Sequence, residues 1–247
     1  MKQIKLLFLL ASASVTGAFA QSNGLTDMSQ SRYAKMANTG IDAVHWTNGF
    51  WGERFNVFSG TSLQSMWNTW NTPEVSHGFR NFEIAAGVCK GEHWGPPFHD
   101  GDMYKWMEGV ASVYAVNKDP ELDKLMDNFI ACVVKAQRAD GYIHTPVVIE
   151  ELNKGIDSHT LADSQQQTVI GTKVGSEDEK GAFANRLNFE TYNLGHLMMA
   201  GIVHHRATGK TTLLDAAVKA TDFLCHFYET ASAELARNAI CPSHYMS

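Results

Sequence analysis

Carboxylates, imidazoles and phenols recur in this chain in a few short clusters that could carry chemistry. Residues 93–102 read HWGPPFHDGD and bring His93, His99, Asp100 and Asp102 into one short stretch. Three chemistries fit it. Acids after a Gly/Pro loop cap the free N–H groups of a following helix and favour its dipole, and this is the leading reading from the residues alone. Imidazole with carboxylate also suits a metal ion. Paired Asp side chains suit the vicinal hydroxyls of a sugar, because each accepts two hydrogen bonds.

A second group is Asp140-Gly141-Tyr142-Ile143-His144-Thr145, where His144 follows a Gly turn and is expected at a loop rim. A third is Glu190, Tyr192 and His196. Tyr192 and His196 are four apart and share one helix face, and Glu190 falls in the first turn, where the dipole favours a carboxylate. The last is Cys241-Pro242-Ser243-His244-Tyr245. The chain has no Gly-x-Ser-x-Gly, phosphate loop or His-Glu-x-x-His. Glycosidic cleavage normally needs two carboxyl groups across the scissile bond. Asp100, Asp102 and Glu190 are available, but spacing alone does not pair them.

The elements that must position these groups are helical. Tyr104, Met107, Val110, Ala111 and Tyr114 recur at helical spacing, with Asp102 as the expected N-cap and Asn117-Lys118 as the stop. Asp119-Pro120-Glu121 then opens a second helix with Leu122, Leu125, Met126, Phe129, Ile130 and Val133 as its stripe. The pattern returns in Phe189 to Thr208, stopped by Gly209, and in Thr211 to about Tyr228. Leu122-Asp123 and Leu214-Asp215 occupy matching places 92 residues apart. Such a repeat of helix hairpins stacks into a solenoid or closes into a ring. The expected fold is therefore all-α, an (α/α) barrel, a toroid of helix hairpins. Residues 142–188 interrupt it as a long loop or small β-hairpin insertion, polar and Gly-containing in the middle. Trp46, Trp51, Trp67 and Trp70 lie close together ahead of the first pair. They suit either a sugar-stacking platform or core and lid packing, and packing is favoured because aromatics dominate cores.

With 247 residues, 44% hydrophobic, the chain has enough apolar content for a large core, which excludes whole-chain disorder. A formal charge of −6 argues against nucleic acid as a partner. Residues 1–20 have Lys2 and Lys5, a short apolar run and Ala18-Phe19-Ala20, the pattern of a cleaved signal peptide. Its apolar run is too short to span a bilayer. The mature chain is expected to be secreted or periplasmic and free of the membrane, with residues 21–43 as a leader and 44–247 as the domain. Cys89, Cys132, Cys225 and Cys241 form no Cys-x-x-Cys pair, so no metal site is read from their spacing. Cys132 and Cys225 fall in apolar helical stretches and read as small buried hydrophobes.

Several segments together resemble one family. They are Val44-His45-Trp46 to Arg54, Phe98-His99-Asp100-Gly101-Asp102-Met103-Tyr104-Lys105-Trp106-Met107-Glu108, Asp119 to Leu122, Gln137 to Thr145, Glu190-Thr191-Tyr192-Asn193-Leu194-Gly195-His196-Leu197 and Ala207 to Lys210. In order and spacing they are similar to glycoside hydrolase family 127, the β-L-arabinofuranosidases. The resemblance implies a carbohydrate substrate and retaining hydrolysis of terminal β-L-arabinofuranosides on plant-type or other arabinose-containing glycans. It implies a zinc-bound Cys nucleophile assisted by a Glu, in a later part of the barrel than Ser247, and so a barrel that is incomplete in this chain. No cofactor and no catalytic residue is therefore assigned within this chain, which is expected to be inactive alone and to pair with a C-terminal continuation of the same protein. What carries over is substrate binding, by Asp100, Asp102, His144, Glu190, Tyr192, His196 and His244. Many members have His just before the Glu, and here it is Phe189. The alternatives are a non-catalytic glycan-binding or assembly module built on half a barrel, and a different α/α-barrel glycan-degrading enzyme.

Overall fold

The computed structural model describes residues 24–155, 182–183, 185–238, 241 and 243–246. The expected signal peptide and most of the 142–188 insertion lie outside the described residues. The helices are α1 (Gly49–Val57), α2 (Leu63–Trp70), α3 (Gly78–Ala85), α4 (His99–Asn117), α5 (Pro120–Ala136), α6 (Thr145–Asn153), α7 (Glu190–Thr208), α8 (Thr212–Thr230) and the short α9 (Ala233–Ala236). A π turn, Phe58–Ser62, joins α1 to α2.

Two hairpins form the body, as the repeat predicts. Asp119 caps α5 by accepting from the Glu121 N–H, and Pro120 takes the first turn. Lys118 closes α4 in the left-handed region (φ 54°). Its ammonium donates to the Ala207 carbonyl at 2.9 Å, satisfying a free acceptor at the end of α7. Gly209 ends α7 at φ 78°. At the other ends, the Gly101 N–H in α4 donates to Asn193 Oδ1 in α7 at 2.9 Å. Two ties of this kind, one near each end, make α4 and α7 parallel neighbours. They pack more extensively than any other pair. Helix α5 lies behind α4 and α8 behind α7. Lys210, entering α8, reaches Asp123 (2.7 Å) and Asp127 (2.8 Å) on α5.

The core gathers where α2, α3, α4 and α5 meet. Phe82, Met103, Met107, Met126 and Phe129 are fully buried. Trp67 stacks on Trp106 at 5.0 Å, so the packing reading holds for this tryptophan. Trp46 and Trp51 differ, with 47% and 65% of their surfaces exposed.

Three sequence expectations are corrected. Helix α4 begins at His99, not Asp102. Phe98 is its N-cap and offers no side-chain bond, and Asp102 lies within the first turn beside Lys105. The stretch after residue 142 is not loop or hairpin throughout: Thr145–Asn153 is helical, with Pro146 in the first turn, the position where a missing N–H costs nothing. Cys225 is exposed, because its side of α8 lines a groove with Leu214, Val218 and Tyr228.

Gly101 sits at the α4–α7 crossing, where an added Cβ would lie 2.7 Å from the Tyr192 ring and 2.8 Å from Asn193 Oδ1. In an open helix, Ala in place of Gly is worth about 1 kcal/mol in its favour. Here Gly101→Ala is expected to lower the melting temperature, and a rise would show that the helices do not cross this closely.

Candidate functional site

The N-terminal turns of α4 and α7 meet the segment 142–145, and most of the carried-over residues come together there. Asp100 is buried, with both oxygens engaged by Thr145: Oδ2 accepts from the backbone N–H at 2.7 Å and Oδ1 from the hydroxyl at 2.6 Å. His144 is wholly buried as the residue preceding α6, not placed at a loop rim. Its Nδ1 lies 3.3 Å from Asn193 Nδ2 and 3.5 Å from Asp100 Oδ2.

The Asn193 amide orientation is fixed by two backbone groups. Oδ1 accepts from Gly101 N–H, and Nδ2 donates to the Pro97 carbonyl at 2.9 Å. Nδ2 therefore donates to His144 as well, and a ring that accepts at Nδ1 carries its proton on Nε2. That Nε2 is buried and meets no hydrogen-bond partner among the described residues.

Glu190 is equally enclosed. Oε1 accepts from the Tyr142 hydroxyl at 2.6 Å and Oε2 from the Phe183 N–H at 2.7 Å. Burial pushes its pKa up from the ordinary 4.5, against the lowering effect of these two bonds. Burial likewise holds the Tyr142 hydroxyl well above its usual range. Asp100 and Glu190 thus brace the site and do not face an open cleft.

The solvent-facing part is a polar row along the α4–α7 seam. Lys105 pairs with Asp102 at 2.8 Å and donates to the Tyr192 hydroxyl at 2.6 Å. The Tyr192 ring meets His196 edge-on at 4.6 Å, as their spacing predicts. His196 Nδ1 lies 3.7 Å from Glu108 Oε1. Ser243 donates to the Tyr192 carbonyl at 2.6 Å and draws the 243–246 turn onto α7. There His244 Nε2 meets the Tyr228 hydroxyl at 3.1 Å. Burial lowers the His244 pKa.

The sequence reading missed Tyr142, Asn193, Lys105 and Glu108 as members of the site. Each sits inside a segment singled out above, but nothing in a one-dimensional pattern distinguishes a residue facing the seam from a core or surface neighbour. His93 and His99 flank the same group. Burial brings His93 down to about 4 and lowers His99 as well.

Parallel helices from stacked hairpins, presenting buried carboxylates and a phenol–imidazole–lysine row at one end, define an α/α-toroid wall with a polar mouth, and the solved structures it resembles are (α/α)-barrel hydrolases. The model of the β-L-arabinofuranosidase GH127 catalytic domain matches residues 43–247, and the chain belongs to that family. It is 32% identical over 149 residues to the non-reducing end β-L-arabinofuranosidase of Bifidobacterium longum subsp. longum, covering 60% of this chain and 19% of that protein. A solved glycoside hydrolase is 69% identical, with a TM-score of 0.60 over 91% of this chain and 26% of its own. A GH127 β-L-arabinofuranosidase from Geobacillus stearothermophilus T6 is 32% identical, with a TM-score of 0.59 over 73% of this chain and 25% of its own. The chain thus spans at most about a quarter of each of these relatives' lengths.

The described residues do not fit the zinc centre that the resemblance implies. Among them, no three His, Cys, Asp or Glu side chains gather as metal ligands do. The four thiols are unpaired, and burial raises the pKa of Cys89 and Cys132, which keeps them protonated.

Glu190 yields a pH-dependent prediction. A carboxyl whose folded pKa is raised binds its proton more tightly when folded, so its contribution to stability is fully present below 4.5 and is lost as pH rises through the folded pKa. Glu190→Gln can still accept from Phe183 and donate to the Tyr142 oxygen. It is expected to remove that part of the decline in chemical-denaturation curves, whereas Glu190→Ala orphans two buried donors and costs about 2–5 kcal/mol. An unchanged pH dependence in the Gln variant would show that Glu190 is not the buried acid.

Proposed function

We propose that this chain is the sugar-recognising wall of an exported β-L-arabinofuranosidase-type catalytic domain, and that alone it binds terminal β-L-arabinofuranosides without cleaving them. The observation that carries the reading is the α4–α7 seam, set in a family member. Asp102, Lys105, Tyr192, His196 and Glu108 alternate acceptors and donors along one face, as a ring of hydroxyls requires. Lack of cleavage follows from the carboxylates and thiols. Asp100 and Glu190 have their oxygens engaged by protein donors. Burial keeps Cys89 and Cys132 protonated, and a protonated thiol is a poor nucleophile. The same engagement also suits a non-catalytic glycan-binding module.

Calorimetry with methyl β-L-arabinofuranoside, alongside a chromogenic β-L-arabinofuranoside assay, tests this. Binding without turnover is expected, with Lys105→Met and Tyr192→Phe each weakening it by about three- to thirtyfold, the effect of losing one or two hydrogen bonds. Absence of binding would refute recognition, and turnover by the purified 247-residue chain would refute its dependence on other groups.

Export rests on the charged, apolar and small-residue order of residues 1–20, and no described helix is long and apolar enough to cross a membrane. N-terminal sequencing of the exported protein should begin at Gln21, and a retained Met1 would exclude cleavage.

A further inference from the structure

We propose that Trp94 is a fixed stacking platform for the sugar ring next to the terminal one, on the loop that leads into α4. This rests on the reading of the mouth as a sugar site. Trp94 leaves 50% of its surface in solvent, yet its backbone is held by a side chain that is 0% exposed. Asn81 donates from Nδ2 to the Trp94 carbonyl at 3.1 Å and accepts the Trp94 N–H on Oδ1 at 3.3 Å. Burying a side-chain amide is costly unless it is hydrogen-bonded, and both ends of this one bind an exposed residue.

The rest of the loop is equally constrained. Gly95 has φ 102°, and a Cβ there would lie 2.6 Å from His99 Nδ1, so the turn requires glycine. Two residues on, Asn193 takes the Pro97 carbonyl at 2.9 Å, joining the loop to the amide that also contacts His144. A pair of buried asparagines therefore fixes both ends of residues 94–97 beside the site.

The indole packs against His77 at 4.9 Å and 65° and leaves half its surface in solvent. His77 Nδ1 and His93 Nε2 are buried polar atoms with no hydrogen-bond partner among the described residues. A half-exposed indole on a fixed backbone matches a sugar, whose C–H face stacks on the π cloud. Holding the ring in advance lowers the ordering cost of binding. Trp67 and Trp106, stacked in the core, show the contrasting use of the same residue type.

Dissociation constants for methyl β-L-arabinofuranoside and for a disaccharide ending in β-L-arabinofuranose, measured on the 247-residue chain, test the platform. The expected wild-type preference for the disaccharide is about three- to tenfold, the size of one aromatic stack. Trp94→Leu, which keeps bulk over His77, should abolish that preference, and Trp94→Phe should keep most of it. A preference that survives in Trp94→Leu, or is absent from the wild type while the methyl glycoside binds, overturns the platform alone. Failure of both sugars to bind overturns the platform together with the reading of the mouth.

Discussion

The Asn193 amide is the joint on which the site depends. Its oxygen takes the Gly101 N–H, and its nitrogen serves both the Pro97 carbonyl and His144. One side chain, 1% exposed, thereby fixes the start of α7 against the start of α4, the loop before α4 and the residue that enters α6. A buried amide leaves few alternatives, because each unmade bond carries the full desolvation penalty. Parallel packing of α4 and α7 follows from this joint, together with the Lys118 tie at the far end. The close approach of Gly101 to the Tyr192 ring follows as well.

Around that joint the ionisable groups divide by burial. Asp100 and Glu190 sit inside and act on the backbone: one holds Thr145 and the other holds Tyr142 and Phe183. Phe183 and Phe189 have φ values of 67° and 58°, in the left-handed region that aromatic residues avoid. Both flank Glu190, one as its hydrogen-bond donor and one as its chain neighbour. Backbone strain of this kind persists only where surrounding bonds over-determine it. The Phe189 ring packs edge-on against Phe98 at 5.3 Å. Outside the joint, Asp102, Lys105, Tyr192 and His196 keep partial access to solvent.

Much of this was legible in the sequence. Helical spacing, Asp119-Pro120 and Gly209 located the hairpins within a few residues, because caps and apolar stripes are local features. The pairing of Tyr192 with His196 was legible for the same reason. The start of α4 was not, since Phe98 offers no capping side chain and Asp102 resembles one that does. The helix Thr145–Asn153 was also missed, because a short segment within a polar, Gly-containing stretch carries little periodic signal.

By itself, the sequence determined a repeat of amphipathic hairpins, an acidic composition and the motifs that join the chain to its family. Tertiary structure alone decided which acids are braces and which are free. Asp100 and Asp102 are two residues apart in one helix turn, yet one faces Thr145 in a dry interior and the other faces Lys105 and water. Composition cannot separate them, because a carboxylate's role is set by its desolvation and its partners. The partner of Asp100 comes from a segment 45 residues away along the chain, whereas that of Asp102 lies one helix turn on.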